Sequence, residues 1–344
     1  MASQTALVVT KIGEPVTSVS NWPVPQPGHK QIQIRIKVVG LNPHDQKGRD
    51  RGLFIADNLP AVLGNDGVGV VTALGEDASR FNIGDVVFAQ VTGGGLKQFA
   101  IVDEDHAAVV PKGISEDACA TLPINLVTGI VTFFDDSGFG LTAPWTTGAD
   151  PSAYAQSQIL IIGAGTNCGK FAVQLAKLAG FGKIVALGGK EDELTKYGAT
   201  HVLDRHGGYD IVRKRIQEAV GDDLMYSLDA FNAPDEQYIG INALSNSKKG
   251  KFARLISRMA DPDPSKIDAK GAGYELKNIL GLSQLAPKVT IPFWEKVGEL
   301  LTQGKITPLQ YSEEKGLDAA KVNEVLDRYR DGKFVLQPHF RISK

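Results

Sequence analysis

Residues 158–205 contain the pattern that most restricts how this chain can fold: a strand, a glycine-rich turn, a helix and a second strand in close succession. The apolar run 159–162 leads into the turn 163–169, and a second apolar run follows at 184–187. Between them, apolar residues recur at helical spacing, namely Cys168, Phe171, Ala172, Leu175, Ala176 and Ala179. A helix that joins two buried strands in this way brings them side by side and parallel. The segment therefore predicts a βαβ unit within a parallel sheet.

The turn of this unit has the properties of a phosphate site. The first N–H groups of a helix have no partner within it, and the helix dipole adds partial positive charge. Gly163 permits a sharp turn, Gly165 lets backbone approach a phosphate, and Gly169 lets the helix pack on the strand. The spacing is one residue longer than the common pattern, so it is the flanking strand and helix that favour a dinucleotide site over a purely structural crossover. The predicted phosphate-binding residues are Gly163, Gly165, Thr166, Asn167, Cys168 and Gly169.

The end of the second strand indicates which dinucleotide binds. The sequence there reads Gly188-Gly189-Lys190, without the carboxylate that would bind the ribose hydroxyls of NAD. Lys190, and Arg205 beyond the third predicted strand, are cations that can neutralise a 2′-phosphate. The alternative is that both are solvated surface charges. We expect NADPH as the cofactor, with Gly189, Lys190 and Arg205 at its adenosine end.

The composition excludes several classes of protein. With 344 residues, of which 42% are hydrophobic, the chain is long enough for two domains with separate cores. A net charge of −2 gives neither a nucleic-acid footprint nor attraction to anionic membranes. Two cysteines, Cys119 and Cys168, cannot form a disulfide framework or a paired-cysteine zinc ribbon. No apolar run reaches transmembrane length and no signal peptide precedes the first predicted strand, so we expect a soluble, cytoplasmic protein.

The chain divides into a β-rich part and an α/β part. Residues 1–125 contain short strand patterns separated by Gly, Pro and Asn. From 159 to about 282, strands and helices alternate, which is typical of a doubly wound parallel sheet. Residues 333–336 are predicted to form a closing strand. We predict two domains, one made of 1–125 together with 283–344 and the other of 126–282.

Four motifs along the chain resemble those of the medium-chain dehydrogenase/reductases. They are Asn-Pro-x-Asp at 42–45, Gly-x-Asp-x-x-Gly-x-Val at 64–71, Phe-x-x-Gly-Asp-x-Val at 81–87 and Gly-Lys-x-Val-Leu at 332–336. The seven-residue nucleotide turn is similar to that of the quinone oxidoreductase and trans-acting enoyl reductase branch. The resemblance implies an α/β protein with a GroES-like β-rich catalytic domain and a Rossmann domain that holds a doubly wound parallel sheet.

The chain departs from the zinc-dependent members of this family at two positions. Those members place a cysteine where this chain has Asn42 and a histidine where it has Asn65, and neutral amides are poor zinc ligands. His44 and Asp66 form a possible pair of ligands, but no third ligand clusters with them in the sequence. We therefore predict no metal site.

The resemblance also implies roles for single residues. Thr128 would hydrogen-bond the nicotinamide amide, with the backbone of residues 281–282 on its other side. Asn42 and Asn65 would face the substrate or the nicotinamide ribose, and Lys47 would donate a proton or stabilise charge. A structural role, such as a turn, a cap or a solvated lysine, is the alternative for each. The predicted catalytic residues are Asn42, Lys47, Asn65 and Thr128, and the further predicted cofactor contacts are Thr128, Phe231, Gly281 and Leu282.

The absence of a predicted Lewis acid affects which reaction we expect. Without a metal, hydride addition to the β-carbon of an enone, enoyl thioester or quinone is easier than reduction of an isolated carbonyl, because hydrogen-bond donors can stabilise the enolate charge. We expect an NADPH-dependent reductase of a small molecule with such a conjugated group. The alternatives are a zinc-free ketone or aldehyde oxidoreductase and a non-catalytic NADPH-binding accessory or sensor protein. A synthase partner and the choice between monomer and homodimer are left open.

Overall fold

The computed structural model describes residues 2–255 and 260–343, which form two compact units. The first unit consists of residues 1–124, 297–302 and 308–344, and the second of 125–296 and 303–307. The predicted limits of the domains stay a prediction. The compact units differ from them mainly in that residues 283–296 group with the second unit.

Strands and helices alternate through the second unit, whereas the first is mainly strands. In the described residues the strands are β1 Ser3–Val9, β2 Thr17–Pro23, β3 Gln31–Gly40, β4 Ala61–Val62, β5 Asp66–Leu74, β6 Val86–Gln90, β7 Phe99–Asp103, β8 Ala107–Val109, β9 Gln158–Ile162, β10 Lys183–Leu187, β11 His201–Leu203, β12 Tyr226–Asp229, β13 Gly250–Arg254, β14 Tyr274–Asn278, β15 Tyr311–Lys315 and β16 Gln337–Arg341. The helices are α1 Pro43–Arg51, α2 Glu116–Ala120, α3 Pro123–Phe134, α4 Asn167–Ala179, α5 Glu191–Tyr197, α6 Tyr209–Val220, α7 Tyr238–Ala243, α8 Pro287–Thr302 and α9 Ala319–Arg330.

The sheet of the second unit is parallel and doubly wound, as predicted. Its strand order is β11-β10-β9-β12-β13-β14, and all of these neighbours pair in parallel. Numbered along the unit, this is the 3-2-1-4-5-6 order of the Rossmann fold. Since the order reverses between β9 and β12, their carboxyl ends border a crevice in which such folds bind ligands. The Rossmann prediction is confirmed.

The larger sheet of the first unit carries a core on one face. Its order is β15-β16-β3-β5-β6-β8, β7 pairs with β3, and a separate small sheet has the order β2-β1-β4. Alternate residues of β3, including Ile32, Ile34 and Ile36, are fully buried in the core cluster of this unit. The predicted GroES-like, β-rich unit is confirmed.

The closing strand differs from its prediction. Residues 333–336 are irregular and Phe334 is largely exposed, whereas the strand is β16, which starts at Gln337. β16 pairs with β3 and β15, and His339 lies opposite Gly40. Pairing with these distant strands, rather than the apolar pattern at 333–336, determines where the last strand forms.

Candidate active site

The phosphate turn between β9 and α4 is capped by Thr166. The Thr166 hydroxyl accepts from Gly169 N at 3.0 Å and donates to the carbonyl of Gly163 at 2.8 Å. This cap fixes the turn and satisfies one of the free N–H groups of α4. A Cβ on Gly169 would lie 2.3 Å from the carbonyl oxygen of Gly163, so only glycine allows α4 to begin so close to β9.

Two further glycines allow other backbone segments to approach the turn. A Cβ on Gly165 would lie 2.8 Å from the Cα atom of Gly189, and one on Gly163 would lie 2.5 Å from the Cβ atom of Phe231. Gly163 also has φ of +73°, which favours glycine. The turn after β9 thus lies against the ends of β10 and β12, where a Rossmann fold holds the phosphates of a dinucleotide.

The predicted adenosine end of the site is a cavity of about 300 Å³ beside β10 and β11. Its lining includes Gly188, Gly189, Glu191 and Arg205. Arg205 and the neighbouring Lys190 are exposed, and neither side chain hydrogen-bonds or ion-pairs with any described residue. The Arg205 stem lies over Gly188, where a Cβ would be 3.1 Å from Cδ.

The cavity is lined by carboxylates as well as by a cation. The Asp204 carboxylate is 2.6 Å from Nδ1 of His206 and 3.6 Å from Arg215, and hydrogen bonds from His206 lower its pKa. Glu191 has no such partner among the described residues. Arg205 in the lining and Lys190 next to Gly189 are two unpaired cations against one unpaired carboxylate, Glu191, so the local balance favours an anion.

Asp229 is a residue of the site that the sequence analysis missed. At the end of β12, its Oδ1 atom accepts from the N–H groups of Phe231 at 3.0 Å and Asn232 at 2.8 Å. Burial raises the pKa of Asp229, while these bonds act in the opposite direction. The resulting turn holds Phe231, which is 57% exposed, against Gly163. The signal in the sequence was a lone Asp at the end of a predicted strand.

The structure brings together three of the residues predicted to contact nicotinamide. A Cβ on Gly281 would lie 2.0 Å from Oγ1 of Thr128, so the helix α3 and the segment after β14 are in direct contact. Leu282 follows, and its N–H donates to Leu280 O at 2.9 Å. In the phosphate turn, the Cys168 thiol lies 3.3 Å from Oδ1 of Asn125. The roles of all these residues stay predictions.

In the first unit, Asn42 belongs to a buried polar cluster around Asp66. Asn42 Nδ2 donates to Asp66 Oδ2 at 2.5 Å, and Gln337 Nε2 donates to the same oxygen at 2.7 Å. The other oxygen accepts from Ile124 N at 2.6 Å. Burial raises the pKa of Asp66 to about 7, and the charge of Asp45 adds to this effect, while the hydrogen bonds oppose it. Asp66 was considered in the sequence only as a possible metal ligand.

Asn65 is held by a second set of bonds. Its Nδ2 atom donates to Val91 O at 2.8 Å, and its Oδ1 atom lies 3.0 Å from Nε2 of His44. Lys47, on the same helix as His44, is half-buried, and burial lowers its pKa, with the charge of Arg51 as a second cause. The predicted residues Asn42, Lys47 and Asn65 thus all belong to the first unit.

Comparison with known proteins identifies the family. Residues 28–112 match the family model described as the alcohol dehydrogenase GroES-like domain. The chain is also 32% identical over 276 residues to the trans-enoyl reductase tazE of Aspergillus terreus, a match that covers 76% of this chain and 88% of that relative. The chain belongs to the medium-chain dehydrogenase/reductase family.

Other members of the family match over less of their length or at lower identity. The chain is 30% identical over 190 residues to a zinc-type alcohol dehydrogenase-like protein of Staphylococcus epidermidis. This match covers 54% of this chain and 53% of that protein. The chain thus spans about half of the length of that relative. The crystal structure of the CurK enoyl reductase has a TM-score of 0.79 at 19% identity and covers 99% of both chains, which shows a shared fold. The predicted family is confirmed.

The side chains around Asp66 can be compared with the ligands that zinc needs. Among the described residues, no group of three or more His, Cys, Asp or Glu side chains is placed to hold a metal ion. Asn42 and Gln337 direct N–H groups at the Asp66 carboxylate, where a zinc ion would need nitrogen, oxygen or sulfur lone pairs. Across residues 2–255 and 260–343, no helix is both long and apolar enough to cross a bilayer.

Proposed function

We propose that the chain is an NADPH-dependent oxidoreductase that reduces a conjugated C=C bond or a quinone by hydride transfer without zinc. The observation that carries the proposal is the pair of cations with unpaired side chains, Lys190 after β10 and Arg205 after β11. Gly188 and Gly189 stand where an NAD-binding member would need a carboxylate for the ribose.

In this proposal the second unit holds the cofactor beside the glycine turn. The close approach of Gly165 to Gly189 needs glycine at both positions, and the start of α4 beside them would bind the phosphates. Lys190 and Arg205 would neutralise the 2′-phosphate, Phe231 would contact the bound nucleotide, and Thr128 with residues 281–282 would hold the nicotinamide. When bound, NADPH supplies the hydride.

In this proposal the first unit acts through the amides of Asn42 and Asn65 and the ammonium group of Lys47 rather than through a Lewis acid. Such donors stabilise the charge of an enolate or a reduced quinone more readily than they activate an isolated carbonyl. The relative from Aspergillus terreus is named a trans-enoyl reductase, and this supports a conjugated substrate. A cytoplasmic location and a synthase partner stay predictions, as does the choice between monomer and homodimer.

The preference for NADPH is tested by removing Lys190. Loss of one charge-assisted hydrogen bond to a phosphate costs about 1.4 kcal/mol or more, so Lys190→Ala should weaken NADPH binding by about tenfold and leave NADH binding within twofold. Lys196→Ala, which removes an exposed lysine from the far end of α5, is the matched control. Calorimetry measures the dissociation constants of NADPH and NADH for both variants. Equal losses for NADPH and NADH would contradict the 2′-phosphate assignment.

The reaction is tested with a panel of enones, enoyl thioesters, quinones, ketones and aldehydes. We expect NADPH oxidation with conjugated substrates, because only these spread the charge that amide and ammonium donors must stabilise. Turnover of isolated carbonyls alone would favour a carbonyl reductase. Tight NADPH binding without any turnover would favour an accessory or sensor protein.

A further inference from the structure

His44, the second residue of α1, lies beside the predicted catalytic asparagines. Its side chain is 22% exposed. The Nε2 atom lies 3.0 Å from Oδ1 of Asn65 and 3.6 Å from Oδ1 of Asp45. The imidazole is thus held by one nitrogen while part of the ring remains open to solvent.

The bonds of Asn65 determine which ring nitrogen of His44 carries the hydrogen. Since Asn65 Nδ2 donates to Val91 O, the amide oxygen faces the imidazole. An amide oxygen can only accept, so Nε2 of His44 must be the donor. In the neutral ring the lone pair is then on Nδ1, which makes no hydrogen bond to any described residue. Nδ1 is therefore the atom that can take up and release a proton.

A buried carboxylate, that of Asp45, lies next to this ring. Asp45 is held by the N–H groups of Asn42 at 2.7 Å and Gly64 at 2.8 Å, so its charge is fixed beside Nε2. Imidazole is the side-chain group that enzymes use most often to take up and release protons.

Two other ionisable groups face this pair of side chains. Asp66 on β5 interacts with the charge of His44. The hydroxyl of Tyr329 on α9 is near both carboxyl groups, and burial raises its pKa, so that it stays neutral. Any test by pH must separate His44 from Asp66.

We propose that His44 is the proton donor of the reduction, an inference that rests on the function proposed above. The β-carbon of the conjugated substrate takes the hydride, and the electron pair of the C=C bond shifts toward the carbonyl, so that an enolate forms with its negative charge mainly on oxygen. The α-carbon then takes the proton from Nδ1 of the imidazolium, which becomes neutral imidazole and is protonated again by water. For a quinone, the proton goes to oxygen. His44 thereby takes the donor role that the sequence suggested for Lys47.

The substitution His44→Gln tests this role. The glutamine amide can still donate to Asn65 but cannot exchange a proton. General acids contribute about 100-fold or more to rate, so kcat should fall by about 100-fold while the dissociation constant of NADPH stays within twofold. The fall of wild-type kcat with rising pH should be missing in the variant. His29→Gln, which changes an exposed histidine 3.5 Å from Asp77, is the matched control and should keep the wild-type profile.

Imidazole nitrogen NMR of the cofactor-free protein gives a readout that is independent of turnover. The neutral His44 ring should carry its hydrogen on Nε2, and a hydrogen on Nδ1 would overturn the assignment. Three kinetic results would also overturn the assignment of His44 as the proton donor. The first is a kcat of His44→Gln within twofold of wild type, and the second is a loss of kcat found only in Lys47→Gln. The third is a fall in kcat at high pH that persists in His44→Gln and disappears in Asp66→Asn. Wild-type protein that binds NADPH but reduces no substrate would instead overturn the proposed function, and this role with it.

Discussion

Among single residues, Asp66 shows how burial and hydrogen bonding act against each other in this site. The side chain is fully buried, and three N–H groups donate to its carboxyl group. Those bonds favour the charged form, yet loss of solvent is the larger effect and raises the pKa to about 7. The charge at the centre of the cluster therefore changes near neutral pH.

This shift predicts a pH dependence of stability. Because the folded-state pKa of about 7 is above the unfolded value of 3.8, the carboxyl group contributes most to stability below pH 3.8. Its contribution is lost as the pH rises through 7. The difference in unfolding free energy between Asp66→Asn and wild type should therefore shift in favour of the variant from pH 5 to pH 8.

Urea unfolding at several pH values measures this difference. Asp57→Asn, which changes an exposed carboxylate in the same unit, serves as the control and should follow the wild-type curve. Parallel curves for Asp66→Asn and wild type would show that Asp66 does not titrate in this range.

Among the secondary structure elements, the start of α4 depends on glycine. A Cβ on Gly169 would meet the carbonyl of Gly163 at 2.3 Å, so Gly169→Ala must move the helix or the turn. We expect a loss of about 2 kcal/mol in unfolding free energy. We also expect weaker binding of NADPH and NADH alike, because the displaced N–H groups serve both cofactors.

A matched substitution exists in α8. A Cβ on Gly298 would find its nearest atom at 3.7 Å, an ordinary contact, so Gly298→Ala should stabilise the protein by about 0.5–1 kcal/mol. Thermal and urea unfolding of both variants, with cofactor titrations, check the pair. Equal effects of the two substitutions on unfolding and cofactor binding would contradict the proposed clash between a Cβ at position 169 and the carbonyl of Gly163.

For the whole molecule, the donor set predicts the metal content. Protein purified without chelators should contain well under one zinc per chain, and EDTA should not change its melting temperature. Both follow because Asn42 and Asn65 offer amides that are already hydrogen-bonded. Plasma mass spectrometry gives the metal content. One bound zinc per chain, lost together with stability on chelation, would contradict the zinc-free proposal.

Helix α1 and strand β16 show why some elements of the fold could not be predicted from the sequence. Helix α1 has no apolar stripe, and its position depends on Arg49, which is buried and pairs with Asp327 at 2.7 Å, far along the chain. The carboxylate of Asp45 holds its first turn by accepting from Asn42 N. Strand β16 similarly forms where β3 is available for pairing. Such contacts join residues that are far apart in the sequence. They produce no periodic pattern, so sequence analysis cannot detect them.

The order of residues alone determined the βαβ unit, the Rossmann sheet and the family, since helical spacing, glycine turns and short motifs are local. The conformational roles of the glycines at positions 163, 165 and 169 follow from the sequence. Only tertiary structure decided that Asp66 binds Asn42, that Asp229 holds Phe231 in place, and which nitrogen of His44 is free. Hydrogen bonds between side chains distant in sequence depend on the packing of whole strands and helices, and that packing exists only in the folded chain.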